Sequence, residues 1–116
     1  MHKLFKLVIP AIMLVAATSL QAQIKNQQTE TAKIYGNCGM CESVIEKAGN
    51  VAGVASVDWD KRTKIASISY DSKKTTKDEI LKRIAAAGYD NERYTAPDKV
   101  YNNLHECCRY DRHKRQ

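Results

Sequence analysis

The sequence lacks an uninterrupted run of about 20 apolar residues, the length that a membrane-spanning helix needs. Its longest apolar stretch, residues 7–17, follows Lys3 and Lys6 and precedes the small residues of "TSLQAQ". This pattern predicts a secretory signal peptide over residues 1–22, with an uncleaved N-terminal anchor as the alternative. We therefore expect an exported, periplasmic protein that is not inserted in the membrane once the signal is removed.

Aromatic residues are also scarce, at 7% of the chain, and the net charge is only +6. The basic residues from Arg109 onward form a tail that we expect to be solvated. An exported protein without a basic surface interleaved with aromatics is a poor partner for nucleic acid. The chain after residue 22 is one small domain with little room for a deep catalytic pocket, so we expect no enzyme.

The chain has only four cysteines, all of them beyond the predicted signal: Cys38, Cys41, Cys107 and Cys108. Disulfides that stabilise small exported domains close long loops, whereas one pair here is three positions apart and the other is adjacent. The spacing therefore argues against a disulfide framework. Pairing between the two cysteine sites stays open, because connectivity does not follow from sequence.

Strand and helix patterns follow one another between the cysteine sites. The β-prone "TAKIY" precedes apolar residues at helical spacing in "CESVIEKA". Alternating apolar residues in "GVASVDWD" and "KIASISYD" predict a β-hairpin that turns at residues 60–63. Thr76 and Glu79 form a capping box that begins a second amphipathic helix, ending at Gly88. "YDNERYT" is the candidate for a last strand, which Pro97 must end.

The order β-α-β-β-α-β predicts an α+β sandwich in which two helices cover one face of a four-stranded antiparallel sheet. We assign this domain to residues 31–95, after a polar linker at 23–30. Residues 96–116 form a C-terminal extension that ends in the basic tail. Within it, four apolar positions predict a third helix of about three turns: Val100, Leu104, Cys107 and Cys108.

The sequence "GNCGMC" places Cys38 in a loop and Cys41 in the first turn of the predicted first helix. The positive end of the helix dipole favours thiolates at both positions. Two thiolates near one ion prefer soft metals, copper(I) first and mercury(II) next, with zinc(II) plausible if further ligands arrive. A site with two ligands at the surface suits capture and hand-over of an ion.

Three segments, "CGMCESVIEKA", "GVASVDWDKRTKIASISYD" and "ILKRIAAAGYD", resemble the heavy-metal-associated domain of copper chaperones, metal-pumping P-type ATPases and the periplasmic mercury-binding protein. The resemblance covers residues 31–94, with its motifs in the family order. It implies a ferredoxin-like fold in which Cys38 and Cys41 bind the ion. It also implies that Tyr89 packs beside the metal loop, although the same ring could be an ordinary core tyrosine.

Two features depart from the family pattern. Gly36 stands where the family commonly has a methionine, and Met40 lies between the two cysteines, where we expect it to fill space in the core rather than to approach the ion. The segment "LHECC" lies outside the residues that resemble the family and is an addition to that domain. His105 and Cys108 would lie on one helical face, where they could share an ion as a second site or as part of the first. Alternatively, Cys107 and Cys108 bind no metal and are structural.

The sequence therefore predicts an exported carrier or scavenger of a soft metal ion, most favourably copper(I), that passes the ion on by thiolate exchange. Its expected partner is a metal-transporting membrane protein or another metal-binding domain, and the expected state is a monomer or a weak metal-bridged dimer. A thiol-disulfide oxidoreductase is the main alternative, because CxxC at a helix N-terminus is also the thioredoxin arrangement. Against it, no Trp precedes the pair. An interaction module with a local disulfide is a third class.

Overall fold

The computed structural model describes residues 23–112. The predicted signal peptide at 1–22 and the last four residues of the tail lie outside the described residues. Within the described part, no helix is long and apolar enough to cross a membrane.

The described chain is an α+β fold built on a three-stranded antiparallel sheet. The elements in chain order are β1 Gln27–Lys33, α1 Gly39–Gly49, β2 Ala55–Trp59, β3 Ile65–Asp71, α2 Lys77–Ala86, α3 Asp98–Asn102 and a 3-10 turn Glu106–Cys108. The strands lie in the order β1-β3-β2, and helix α1 packs on β2 and on helix α2.

The predicted hairpin is confirmed, and it supplies much of the core. Its alternating apolar residues pair across the two strands, with Val57 opposite Ile68 and Trp59 opposite Ala66. These side chains are buried, while their neighbours along each strand alternate outward. The Asp60 side chain accepts hydrogen bonds from two backbone amides of the turn, which fixes the reversal of the chain.

The second predicted helix is also confirmed at its start. Thr76 is the N-cap of α2, and its hydroxyl accepts a hydrogen bond from the Glu79 amide at 3.1 Å. Three apolar residues of α2 are fully buried against the sheet and α1: Ile80, Leu81 and Ile84. The core of the sandwich therefore lies between this helical layer and one face of the sheet.

The first strand begins earlier than the sequence predicted. It starts at Gln27, inside the segment 23–30 that we predicted to be a linker, and it pairs with β3 as far as Lys33. Polar residues such as Gln28 and Thr29 show no apolar alternation, so periodicity gives no signal there. Pairing with the complete length of β3 extends the strand instead.

The predicted fourth strand is reduced to one isolated bridge between Ile34 and Asn91. The Asn91 side chain accepts hydrogen bonds from the amides of Arg93 and Tyr94, which curls the chain into a turn just where a ladder would continue. The prediction of four strands is therefore wrong for the described residues.

The predicted three-turn C-terminal helix is replaced by two short pieces, α3 and the 3-10 turn. Two consecutive asparagines, Asn102 and Asn103, lie at the break, and asparagine competes with helical hydrogen bonding. The break allows the chain to turn back toward α1, which contacts the 3-10 turn. The expectation of a solvated basic tail is wrong for Arg112, which forms ion pairs with Asp90 and Asp98, whereas Arg109 is exposed as expected.

Candidate metal centre

The cysteine pair predicted from the sequence lies at the N-terminus of α1. Cys38 is the N-cap residue in extended conformation, and Cys41 lies in the first turn with its side chain fully buried. The Asn37 backbone amide donates a hydrogen bond to the Cys41 sulfur at 3.3 Å. The chain therefore folds so that backbone N–H groups surround both sulfurs at the positive end of the helix.

The Sγ atoms of Cys38 and Cys41 are 3.6 Å apart. The nearby backbone amide of Cys41 is the main cause that lowers the pKa of Cys38 to about 7, and burial partly opposes it. A thiol with this pKa is substantially ionised at neutral pH, which makes Cys38 a ready ligand or nucleophile.

The second cysteine pair meets the first in space. The Cys107 sulfur is 3.8 Å from that of Cys38 and 4.0 Å from that of Cys108. The sulfurs of Cys38, Cys41 and Cys108 all lie within 4.8 Å of one another, close enough to hold one ion. All four cysteines are free thiols.

Backbone contacts also hold the two cysteine sites together. The Asn37 side-chain amide donates to the carbonyl of Cys107 at 3.3 Å, and the thiol of Cys38 donates to the same oxygen at 3.5 Å. The approach of the tail is therefore an ordered contact between two loops and not only a proximity of side chains.

The buried part of the centre is formed by Cys108 and Tyr89. Cys108 is 2% exposed, and burial raises the pKa of its thiol to about 12. Tyr89 is fully buried, and burial raises the pKa of its hydroxyl, with smaller contributions from neighbouring Cys108 and Cys41. Within the described residues, this hydroxyl has no hydrogen-bond partner. A buried polar atom therefore lies beside the sulfurs without a protein partner.

Met40 and His105, the other predicted accessory residues, lie at the surface. Met40 is 45% exposed, so the expectation that it fills core space is wrong, and its sulfur is 4.0 Å from the Cys107 sulfur. His105 is exposed and precedes the 3-10 turn, where its carbonyl accepts a hydrogen bond from the Cys108 amide. Within the part of the chain that the structure describes, His105 does not belong to the group of sulfurs that could hold one ion.

Trp59 explains why Gly36 can stand where the family commonly has a methionine. A Cβ atom at position 36 would lie 2.9 Å from the ring of Trp59 and 3.3 Å from the Cβ of Cys41. The indole is buried and donates a hydrogen bond to the Ile34 carbonyl at 2.9 Å. The ring therefore occupies the space beneath the metal loop, and only glycine fits above it.

A second group of candidate ligands was not predicted from the sequence. Carboxylate oxygens of Glu42, Glu46 and Asp58 lie within 4.8 Å of one another. Glu42 and Glu46 are four positions apart on α1, a spacing that sequence analysis can recognise, but Asp58 joins them only through packing. Glu46 already accepts a hydrogen bond from the Trp59 amide at 2.9 Å, which gives it a structural role.

Two solved structures resemble this fold. One is described as a CopZ metallochaperone, with 29% identity, a TM-score of 0.52, and coverage of 55% of this chain and 98% of that one. The other is the putative copper-ion-binding protein from Bacillus anthracis str. Ames, with 24% identity, a TM-score of 0.52, and coverage of 57% and 96%. No protein-family profile and no curated protein matches the chain. Both neighbours have the heavy-metal-associated fold, so the chain shares its general architecture with that family.

Proposed function

We propose that this protein is an exported carrier or scavenger of a soft metal ion, most favourably copper(I), and that it catalyses no reaction. The observation that carries the proposal is the convergence of the Cys38 and Cys41 sulfurs, 3.6 Å apart, at the N-terminus of α1. The metallochaperone described above supports it, because nearly all of that protein's length aligns with this chain.

The proposed chemistry is ligand exchange without a change of oxidation state. A thiolate of the partner forms a bond to the ion while a bond from Cys38 or Cys41 to the ion breaks, and the released thiolate takes a proton from water. The ion is therefore never free. Of the two, Cys38 is better suited to exchange, because it is half-buried whereas Cys41 is buried, and its pKa is lowered to about 7.

Copper(I) is favoured because the centre is built from sulfur. Thiolates and thioethers select soft ions, and Met40 adds a thioether at the edge of the centre. Mercury(II) is the next candidate on the same grounds. Zinc(II) remains an alternative, since it accepts thiolates when three or four of them are available.

Export, partner and assembly form part of the same proposal. The predicted signal peptide supports a periplasmic location, and mass spectrometry of the protein purified from the periplasm tests it through the loss of residues 1–22. A metal-transporting membrane protein or another metal-binding domain is the expected partner. A monomer, or a weak dimer bridged by the ion, is the expected state.

An anaerobic titration of the reduced protein against competing chelators tests the metal function. We expect copper(I) to bind in preference to zinc(II), and the double substitution Cys38→Ser/Cys41→Ser to abolish tight binding. Circular dichroism of the variant is the control, since the substitutions leave the other residues of the apolar core, such as Ile68 and Ile80, unchanged. If the protein took none of the three ions, copper(I), mercury(II) or zinc(II), from any of the chelators, the proposal would be refuted.

A thiol-disulfide oxidoreductase is the second candidate, favoured by the lowered pKa of Cys38. It predicts reduction of a disulfide substrate with many turnovers per molecule. We expect the protein to show no such turnover. Activity that disappears in Cys38→Ser would favour the redox function instead.

A further inference from the structure

We propose that Cys108 is the third thiolate of the metal centre and that Cys107 is the surface thiolate through which the ion enters and leaves. This inference rests on the proposed function and extends it, because the centre then retains its ion with three buried or half-buried sulfurs. The protein is accordingly a tight-binding scavenger whose hand-over proceeds through its own tail.

The separations between the sulfurs favour more than two ligands. With metal–sulfur bonds of about 2.3 Å, a linear ion would hold two sulfurs about 4.6 Å apart, a trigonal ion about 4.0 Å and a tetrahedral ion about 3.8 Å. The Cys38 and Cys41 sulfurs are 3.6 Å apart, closer than the two ligands of a linear ion, and the Cys108 sulfur lies within 4.8 Å of both. The first two sulfurs are therefore spaced for three- or four-coordination, and Cys108 is within reach as the third ligand.

The tail is fixed in place by a tyrosine that follows the cysteines closely. Tyr110 is buried, and its hydroxyl donates to the Gly88 carbonyl at 2.9 Å and accepts from the Asp90 amide at 2.8 Å. Its ring stacks on that of Tyr89, with centroids 5.7 Å apart. Because Tyr110 lies two residues after Cys108, this anchoring determines where the Cys108 sulfur lies.

A charged contact and an apolar contact add to this anchoring. The Arg112 guanidinium donates two hydrogen bonds to the buried Asp90 carboxylate, at 2.9 and 3.0 Å. On the other side, Leu104 packs so closely on Gly88 that a Cβ there would lie 2.9 Å from its side chain. The 3-10 turn between these contacts is thus held against α1 from both ends.

Burial separates the roles of the two tail cysteines. Cys108 is buried with Cys41, so an ion bound by these two sulfurs is shielded from water and from partner thiols. Cys107 is exposed, yet its sulfur lies within 4.0 Å of both Cys38 and Cys108. An incoming ion meets Cys107 first and passes to the inner three sulfurs.

Each step balances without an oxidant. A bond from the ion to Cys107 forms as a bond to the donor breaks, and bonds to Cys38, Cys41 and Cys108 then form as the bond to Cys107 breaks. Each thiol that becomes a ligand releases its proton to water. Release to an acceptor is the same sequence in reverse.

X-ray absorption of the wild-type protein loaded with one equivalent of copper(I) tests the third ligand without any substitution. We expect three sulfurs at one distance. A count of two sulfurs in a protein that does bind copper(I) would overturn this inference and leave the proposed function intact. Absence of copper(I) binding in the wild type would instead overturn the proposed function.

Two single substitutions then separate the roles of the tail cysteines. We expect Cys108→Ser to weaken copper(I) binding by at least the roughly 10- to 100-fold that loss of a supporting partner costs a metal site. We expect Cys107→Ser to keep its affinity within about threefold, a difference below 1 kcal/mol. The Cys107→Ser variant should take up copper(I) from the bicinchoninate complex about tenfold more slowly than the wild type, or slower still. A tenfold fall in rate corresponds to an activation barrier raised by about 1.4 kcal/mol.

Cys108→Ala serves as a second variant if the buried serine destabilises the fold, and circular dichroism monitors both. Equal affinity in the wild type and in a folded Cys108 variant would overturn the role of Cys108. An uptake rate for Cys107→Ser equal to that of the wild type would overturn the role of Cys107.

Discussion

Tyr89 and Tyr110 stack with their ring centroids 5.7 Å apart, yet their hydroxyl groups have opposite hydrogen-bonding states in the described part of the chain. The Tyr110 hydroxyl both donates and accepts a hydrogen bond, whereas the buried Tyr89 hydroxyl has no partner. A buried polar group without a partner costs about 1–3 kcal/mol of stability. The same substitution, tyrosine to phenylalanine, therefore tests a hydroxyl without a partner at one position and a hydrogen-bonded hydroxyl at the other.

Replacement of each tyrosine by phenylalanine should change stability in opposite directions. Tyr89→Phe removes an unsatisfied hydroxyl and keeps the ring, so we expect the free energy of unfolding to rise by about 1 kcal/mol. Tyr110→Phe removes two hydrogen bonds to the backbone, so we expect a fall of about 2–3 kcal/mol. Urea unfolding of the reduced, metal-free protein measures both. A loss of stability in Tyr89→Phe equal to that in Tyr110→Phe would contradict the assignment.

Alkylation should distinguish Cys38 from Cys108 in the metal-free protein. The pKa of Cys38 is lowered to about 7, mainly by the Cys41 amide, whereas burial raises that of Cys108 to about 12. Because the thiolate is the reactive form, iodoacetamide should modify Cys38 at a rate that rises with pH through a midpoint near 7 and levels off at higher pH. Cys108 should stay unmodified while the protein is folded.

Peptide mass mapping after brief labelling between pH 5 and 9 checks this order. Cys38→Ser is the control and should abolish the phase with its midpoint near pH 7. A midpoint near 9, the ordinary value of a cysteine thiol, would mean that the amides of α1 do not stabilise the Cys38 thiolate.

The ion pairs of Arg112 should contribute measurably to the stability of the tail. Arg112 is 22% exposed, and it bonds to the Asp90 carboxylate, which is 3% exposed. We expect Arg112→Ala to lower the free energy of unfolding by up to about 3 kcal/mol, because a buried carboxylate loses its cation. Arg109→Ala is the matched control: its side chain is exposed and should change stability by less than about 0.5 kcal/mol. Similar effects of the two substitutions in urea unfolding would argue against this anchoring.

The parts of the fold that were predictable from sequence are those with local signals. The hairpin follows from the alternation of Val57 and Trp59 with polar neighbours, and the start of α2 follows from the Thr76 cap. The position of Cys38 before α1 and of Cys41 inside its first turn was likewise predicted correctly, because both depend on the residues next to them.

The predictions from sequence that failed concern features that depend on side-chain contacts, most of them between residues distant in the chain. The last strand is lost because the Asn91 side chain forms a local turn, and no periodicity in "YDNERYT" reveals it. The sequence suggested that the tail cysteines could join the centre, but their approach depends on Tyr110 packing against Gly88 and Tyr89. Met40 was misplaced because a lone methionine gives no local indication of its exposure.

Substitution of Gly36 tests the packing beneath the metal loop. A Cβ atom there would lie 2.9 and 3.1 Å from two carbons of the Trp59 ring, closer than packed side chains tolerate. We expect Gly36→Ala to lower the free energy of unfolding by about 1–3 kcal/mol, the usual cost of overpacking, and Gly36→Met to cost more.

Gly39→Ala is the matched control within the same loop. An added Cβ at position 39 meets no atom within 4 Å, and the position begins α1. Alanine there should leave stability unchanged or raise it by up to about 1 kcal/mol, because alanine favours the helix over glycine. Trp59 is the single tryptophan of the chain, so its fluorescence reports the ring directly. A shifted emission maximum in Gly36→Ala but not in Gly39→Ala would link the loss of stability to displacement of the ring, whereas equal stability and emission in the two variants would contradict the close contact.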